Sequence, residues 1–315
     1  MKEKNLVVCD REIRYADSLA ENILKREELA VKVYVCSSME KVLGLLQEKQ
    51  IHIFVVDESY TYEERSRVAA EQVFVLTQAK VCDHGEEEHA IYKYQRADSI
   101  IREIFENYLE MCEGNIMRPI RKDRTKLIAV YSPIHRLGKT RFAIALGKEY
   151  AKRERVLYLN MEEYAGWEAE EEEGLDMGDL LYYVKQGNGN LGIRLASAVR
   201  NMEQLHYVPP IPFSLDLKEI SFKEWEIFLE QIMQQSAYER VILDIGEGVQ
   251  GLFRLLEMCD RVYMPILEDE VSKQKLKRYE RTRRELQLDN LARNTYQFVL
   301  PDNIEEYVKA RAKED

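Results

Sequence analysis

No stretch of this 315-residue chain approaches the roughly 20 apolar residues that a membrane-crossing helix requires. The opening segment, MKEKNLVVCD, runs straight into a strand-like pattern and has no apolar region ending in small residues, so no secretory leader is expected. Cysteine is scarce and unpaired in spacing: Cys9, Cys36, Cys82, Cys112 and Cys259 are scattered along the chain. That odd, dispersed set points to reduced thiols in a cytosol and away from a metal cluster. A positive net charge is also missing. The 57 acidic residues outnumber the 46 Lys and Arg, leaving −11, which disfavours broad binding to nucleic acid. What remains has the composition of a soluble globular protein, 45% hydrophobic and 33% charged, with room for two ordinary domains or one large one.

In the first third, strand-like and helix-like segments alternate. NLVVCD, AVKVYVCS, IHIFVVDES, QVFVLTQ and AIYKYQ read as strands, and helical spacing lies between them and in ADSIIREIFENYLEMCE. Such alternation predicts a parallel sheet with helices on both faces. In these sheets ligands sit beyond the carboxyl ends of the strands. The polar residues expected there are Asp10, Asp57, Thr77 and Lys93. That set resembles a response-regulator receiver domain, which has a flavodoxin-like fold. The resemblance makes Asp57 the phosphoacceptor, Asp10 a metal carboxylate, Thr77 the hydroxyl that senses the phosphoryl group and Lys93 its counter-charge. The chain departs from the receiver pattern in three ways. Cys9 stands where a second acid is usual, with Glu12 the only nearby substitute; Tyr94 replaces the proline after the lysine; and the segments around Thr77 are short. Loss of a metal carboxylate weakens Mg²⁺ binding. The expectation is an atypical receiver-like domain over 1–115, kept for docking, with a vestigial phosphorylation site.

A basic stretch with a glycine and a proline, CEGNIMRPIRKDRTK, reads as the join, with a linker over 116–125. Beyond it, TKLIAVYS is strand-like and KTRFAIALGKEYAKRE helix-like. Between them lies PIHRLGKT, residues 133–140. A loop joining a strand to a helix is the setting of a phosphate-binding loop, because a helix N-terminus offers unpaired N–H groups and the positive end of its dipole. Ile134, His135, Arg136, Leu137, Gly138, Lys139, Thr140 and Arg141 are the candidate cofactor-binding residues. Lys139 would reach the phosphates, and Thr140 would ligate Mg²⁺. Pro133 stands where glycine normally opens this loop, fixing φ and removing a donor.

Three more strands follow the same logic: RVLYLNMEE, ending in Asn160 and Glu162; YERVILDIGEG, ending in Asp244; and DRVYMPILED. TYQFVLPDN reads as the last strand. HRLGKT, VLYLNME and YERVILDIGEG together resemble the MinD/ParA superfamily of deviant-Walker ATPases over 126–300, leaving 301–315 as a tail. A receiver-like domain placed before such an ATPase looks like the TadZ/CpaE branch, which positions pilus-assembly machinery at a cell pole. The resemblance implies a second doubly wound α/β domain of the P-loop NTPase type and ATP or ADP with Mg²⁺ as cofactors. It implies Glu162 and Asp244 as catalytic carboxylates, and Thr140 and Asp244 at the metal. It further implies a homodimer held by ATP, and protein partners from a pilus or secretion machine. Asn160 replaces the family's first acid and Ile134 its signature lysine, so hydrolysis is expected to be slow or absent. Two other readings stay open: a nucleotide-free scaffold using both domains for docking, and a partition ATPase, which the acidic balance disfavours.

Other features are read more plainly. GNGNLG at 187–192 is a turn, not a dinucleotide site; WEAEEEEGLD is an acidic solvated loop; and SKQKLKRYERTRREL at 272–286 is a basic helix. DNA is not expected as a partner. A membrane-surface contact is left open, without a clear amphipathic tail to mediate it.

Overall fold

The computed structural model describes residues 3–26, 29–78, 85, 87–111, 125–166, 174–187 and 191–313. The chain divides into two compact units, Met1–Ile120 and Arg121–Asp315. The expected linker (116–125, of which only Thr125 is described) and the acidic glutamates of 168–173 lie outside the described residues.

The first unit contains β1 (Lys4–Cys9), α1 (Ile13–Leu24), β2 (Val31–Cys36), α2 (Met39–Glu48), β3 (Ile51–Asp57), α3 (Tyr62–Arg65), β4 (Ala70–Thr77), β5 (Glu88–Tyr92) and α4 (Ala97–Met111). Its sheet has the order β2-β1-β3-β4-β5, and every described pairing is parallel. This is the flavodoxin-like doubly wound order. The strands are buried on both faces, so β1 and β3 read as nearly unbroken apolar runs. The helix after β3, α3, is a single turn. A Thr61–Glu64 capping box starts it, and the buried Arg65–Glu88 ion pair at 2.7 Å anchors its end.

The second unit runs β6 (Lys126–Val130), α5 (Lys139–Ala151), β7 (Val156–Met161), α6 (Met177–Lys185), α7 (Leu191–Ala198), β8 (Arg200–Met202), β9 (Leu205–Val208), α8 (Ser214–Glu219) and α9 (Phe222–Gln235). It continues with β10 (Arg240–Ile245), α10 (Leu252–Met258), β11 (Arg261–Ile266), α11 (Glu270–Glu285), α12 (Asp289–Asn294), β12 (Thr295–Val299) and α13 (Ile304–Arg311). The sheet order is β12-β11-β6-β10-β7-β9-β8, parallel except for β8 against β9. One face packs on Trp225, Phe228 and other residues of α6, α7, α9 and α10. The other packs on Phe142 and Leu146 of α5, together with Ile304 and Val308 of α13. The segment read as a tail is therefore part of the core. Ile304 and Val308 are four apart, so they share one face of α13, and Tyr307 stacks on Phe298 at 5.3 Å. Both units are thus doubly wound α/β folds, as the alternation of elements predicted.

The G-x-G-x-x-G match falls between two helices. Gly187 (φ 74°) closes α6 and Leu191 opens α7, so the strand that a dinucleotide site needs is not there.

Candidate functional site

In the second unit, β6, β7 and β10 are near neighbours in the sheet, and their carboxyl ends bring the candidate residues together. Gly138 caps α5 in the left-handed region (φ 73°, ψ 25°), a conformation that a side chain makes costly. This turn puts Lys139 at the first helical position and aims it across the sheet. Its Nζ donates to the Ile245 carbonyl, pairs with a Glu162 carboxylate oxygen, and lies 3.4 Å from Asp244 Oδ1. Asp244 is fully buried in β10, and its Oδ2 accepts from the Tyr158 hydroxyl at 3.0 Å. Asn160 stands opposite Asp244 in the β7–β10 register, and its Oδ1 accepts from the Glu162 N–H at 2.9 Å. That hydrogen bond fixes the backbone from which Glu162 reaches Lys139.

Two buried atoms here have no hydrogen-bond partner: Asp244 Oδ1 and Asn160 Nδ2. An acceptor and a donor left open side by side, next to an ammonium group and a helix N-terminus, suit a phosphate with its hydrated cation. Lys139 and the N-terminal N–H groups of α5 would hold the phosphates. Thr140, partly exposed in the first turn, and Asp244 would face the cation. Mg²⁺ commonly takes one or two protein ligands and completes its shell with phosphate oxygens and water. Among the described residues no group of three or more His, Cys, Asp or Glu side chains could hold a metal ion.

The rest of the loop divides. Ile134 is buried, and its N–H already donates to Ser132 Oγ at 3.1 Å, so it has no free donor for a phosphate. His135 is exposed and lies 3.3 Å from Glu247, linking this loop to the one after β10. Arg136 is exposed with φ 60°, Leu137 is half-buried and Arg141 is exposed on the first turn of α5. Reading the sequence alone missed Tyr158, Ser132 and Glu247. Tyr158 was within reach of a simple rule: two residues before Asn160 on a strand, it must face the same side.

In the first unit, Asp10, Asp57, Thr77 and Lys93 converge as expected, but in a closed arrangement. Lys93 Nζ lies 2.6 Å from Asp10 Oδ2 and 2.7 Å from Asp57 Oδ2. The second oxygens are also engaged, Asp10 Oδ1 by the Glu12 N–H at 2.8 Å and Asp57 Oδ1 by the Ser59 N–H at 3.0 Å. Asp10, Asp57, Thr77 and Lys93 are 1%, 4%, 1% and 4% exposed. The Lys93 ammonium also lies over the Tyr15 ring, 4.5 Å from its centroid. Burial raises the Asp10 pKa, and hydrogen bonds from Lys93 and Glu12 do not cancel the effect. For Asp57 burial also pushes upward, but Lys93 and Ser59 outweigh it and the pKa falls below the ordinary value. For Lys93 burial works to lower the pKa, and the two carboxylates hold it above the ordinary ammonium range. One lysine between two carboxylates leaves a net negative charge, and Asp10 is the member that burial disfavours as an anion.

No family model and no curated protein matches this chain. Among solved structures, it is similar to a ParA family ATPase from Chlorobium tepidum (15% identity, 59% of this chain and 81% of that one, TM-score 0.41). It is also similar to a variant of McdA from Cyanothece in complex with ATP (15%, 61% and 80%, TM-score 0.41). A third is a chain of the MinC:MinD cell division complex of Aquifex aeolicus (16%, 56% and 68%, TM-score 0.41).

Proposed function

We propose that the second unit binds ATP with Mg²⁺ as a ParA/MinD-type ATPase domain. The observation that carries this is the meeting of Lys139, from the strand–helix loop, with Asp244 and Glu162 at the carboxyl edge of a parallel sheet. Bound there, the nucleotide would supply a phosphoanhydride. Lys139 would neutralise phosphate charge, Asp244 would orient the cation through its open oxygen, and Glu162 would face the attacking water. Hydrolysis is expected to be slow or absent. Ile134 occupies the position of the family's bridging lysine and is buried, so no cation from that position reaches a partner's phosphates. The finer reading is a TadZ/CpaE-like homodimer held by ATP. It would act in the cytosol and position a pilus or secretion apparatus at a cell pole, with the first unit as a receiver-like docking module. No helix among the described residues is long and apolar enough to cross a membrane.

The test is a calorimetric titration of the full chain with MgATP, paired with sizing by light scattering. Binding is expected, with Lys139→Ala weakening it at least about tenfold, since a charge-assisted contact contributes about 1.5–3 kcal/mol. A dimer is expected only with ATP. A second reading, a scaffold that takes no nucleotide, is favoured by one feature: the Lys139 ammonium is already held by the Ile245 carbonyl and by Glu162, with Asp244 Oδ1 3.4 Å away. Absence of binding in that titration would select it.

A further inference from the structure

The three acceptors around Lys139 are not equally fixed. The Ile245 carbonyl belongs to the last residue of β10, and Asp244 is fully buried within that strand. The carbonyl is fixed by the strand's backbone, and the Asp244 side chain is held by burial and by the Tyr158 hydroxyl at 3.0 Å. Glu162 lies just past the end of β7 with its side chain 27% exposed. Its backbone is held by the Asn160 hydrogen bond and by the loop after β10. A Cβ on Gly246 would lie 3.0 Å from the Met161 carbonyl and 3.1 Å from the Glu162 Cα, so the two loops touch only because residue 246 is glycine. The backbone of Glu162 is therefore pinned within reach of Lys139, while its carboxylate alone is free to rotate away.

We propose that Glu162 is a built-in competitor for phosphate, occupying Lys139 in the nucleotide-free protein and turning outward when a nucleotide enters. This rests on the nucleotide-binding reading and adds its regulation. Of the three hydrogens of an ammonium, two have close acceptors in the Ile245 carbonyl and Glu162, and the third faces Asp244 Oδ1 at 3.4 Å without a hydrogen bond. A phosphate arriving at Lys139 competes with Glu162, the one close acceptor of that ammonium carried on a partly exposed side chain. Affinity for nucleotide is set by that exchange, since a binding-competent state populated only in part weakens apparent affinity by its population. Loading and release of Glu162 are one event, so the carboxylate becomes available beside the phosphates only once they are bound.

Two measurements on the full chain test this, each on wild type, Glu162→Gln and the neighbouring control Glu163→Gln. The first reads the lysine without nucleotide: brief acetic anhydride labelling, with Lys139 acetylation followed by peptide mass. The second is MgATP titration. In Glu162→Gln, Lys139 acetylation is expected to rise severalfold, and MgATP is expected to bind about tenfold tighter, the loss of one charge-assisted contact in the free protein. Glu163→Gln should match wild type in both. Unchanged acetylation in Glu162→Gln would overturn the contact itself. Raised acetylation with unchanged affinity would overturn the competition and leave nucleotide binding standing. Raised acetylation with no binding by any of the proteins would remove the nucleotide reading, and the competition with it.

Discussion

Each unit carries one lysine between two carboxylates at the carboxyl ends of parallel strands, and the two clusters differ in closure. Around Lys93 the lysine and both acids are buried, and each carboxylate oxygen has a partner. Around Lys139 the lysine side chain is 14% exposed, one acid is 27% exposed, and one oxygen of the buried acid has no hydrogen bond. Both clusters pair one lysine with two acids from strand ends, but Lys93 follows an edge strand and Lys139 opens a helix, and only the second leaves a partly exposed acid beside its lysine. In the first unit every carboxylate oxygen of the cluster has one partner within the protein.

The comparison breaks most sharply at the two lysines. Lys93→Met should leave two buried carboxylates facing each other and destabilise the first unit by about 3–5 kcal/mol, the usual result of removing one partner from a buried ion pair. Lys139→Met should cost less than Lys93→Met, because the Lys139 and Glu162 side chains are 14% and 27% exposed and Asp244 is the only acid left buried. Denaturant unfolding of the full chain, followed by a probe in each unit, measures both.

A smaller effect separates the two carboxylates of the sealed cluster. Asp57 has a folded pKa below its ordinary 3.8, so its stabilisation is fully present above that pH and fades as pH falls through the lower folded value. Asp10 has a folded pKa above 3.8, so its contribution is complete below that pH and is lost as pH rises through the folded value. At neutral pH, Asp57→Asn should therefore cost more stability than Asp10→Asn. Melting temperatures of the two variants at pH 7 would check the order. Equal costs would mean that Lys93 serves both acids alike.

Smaller still is Arg136→Gly. The left-handed backbone costs a side chain roughly 1–2 kcal/mol, and glycine's extra unfolded-state freedom returns about half of that. A gain of about 0.5–1 kcal/mol in the second unit is expected, with no change in the first. The smallest expected effect is none. Incubating wild type with a small phosphodonor and Mg²⁺ should add no mass at Asp57, because both of its oxygens are engaged. Stoichiometric addition that disappears in Asp57→Asn would show that the cluster opens in solution.

Much of this was legible in the sequence. Buried parallel strands announce themselves as apolar runs, so β1, β3, β7 and β10 could be read directly, and each polar residue at the end of a run marked a strand's carboxyl end. Asp10, Asp57, Lys93, Glu162 and Asp244 were found in that way, and Lys139 by its place in the loop between a strand and a helix. The stretch between β7 and β10 was not. Helices α6 to α9 and the β8–β9 hairpin lie in a region where the segment DLLYYVKQ fits no clear strand, and its helix depends on the Asp176 cap and on packing beneath Trp225. The tail was misread because Ile304 and Val308 are two apolar positions in a polar segment, and only the exposed side of α5 gives them something to cover.

The sequence by itself determined the alternation of elements and the residue types at the strand ends, since both follow from local patterning along one strand or helix. Tertiary structure alone decided which cluster is sealed and which is open. That depends on which groups reach each carboxylate oxygen together: the local Ser59 and Glu12 N–H groups and the distant Lys93 in one unit, against the Gly246 contact that brings Glu162 to Lys139 in the other. Hydrogen-bond satisfaction is a sum over neighbours from several strands, and no single segment of the chain contains it.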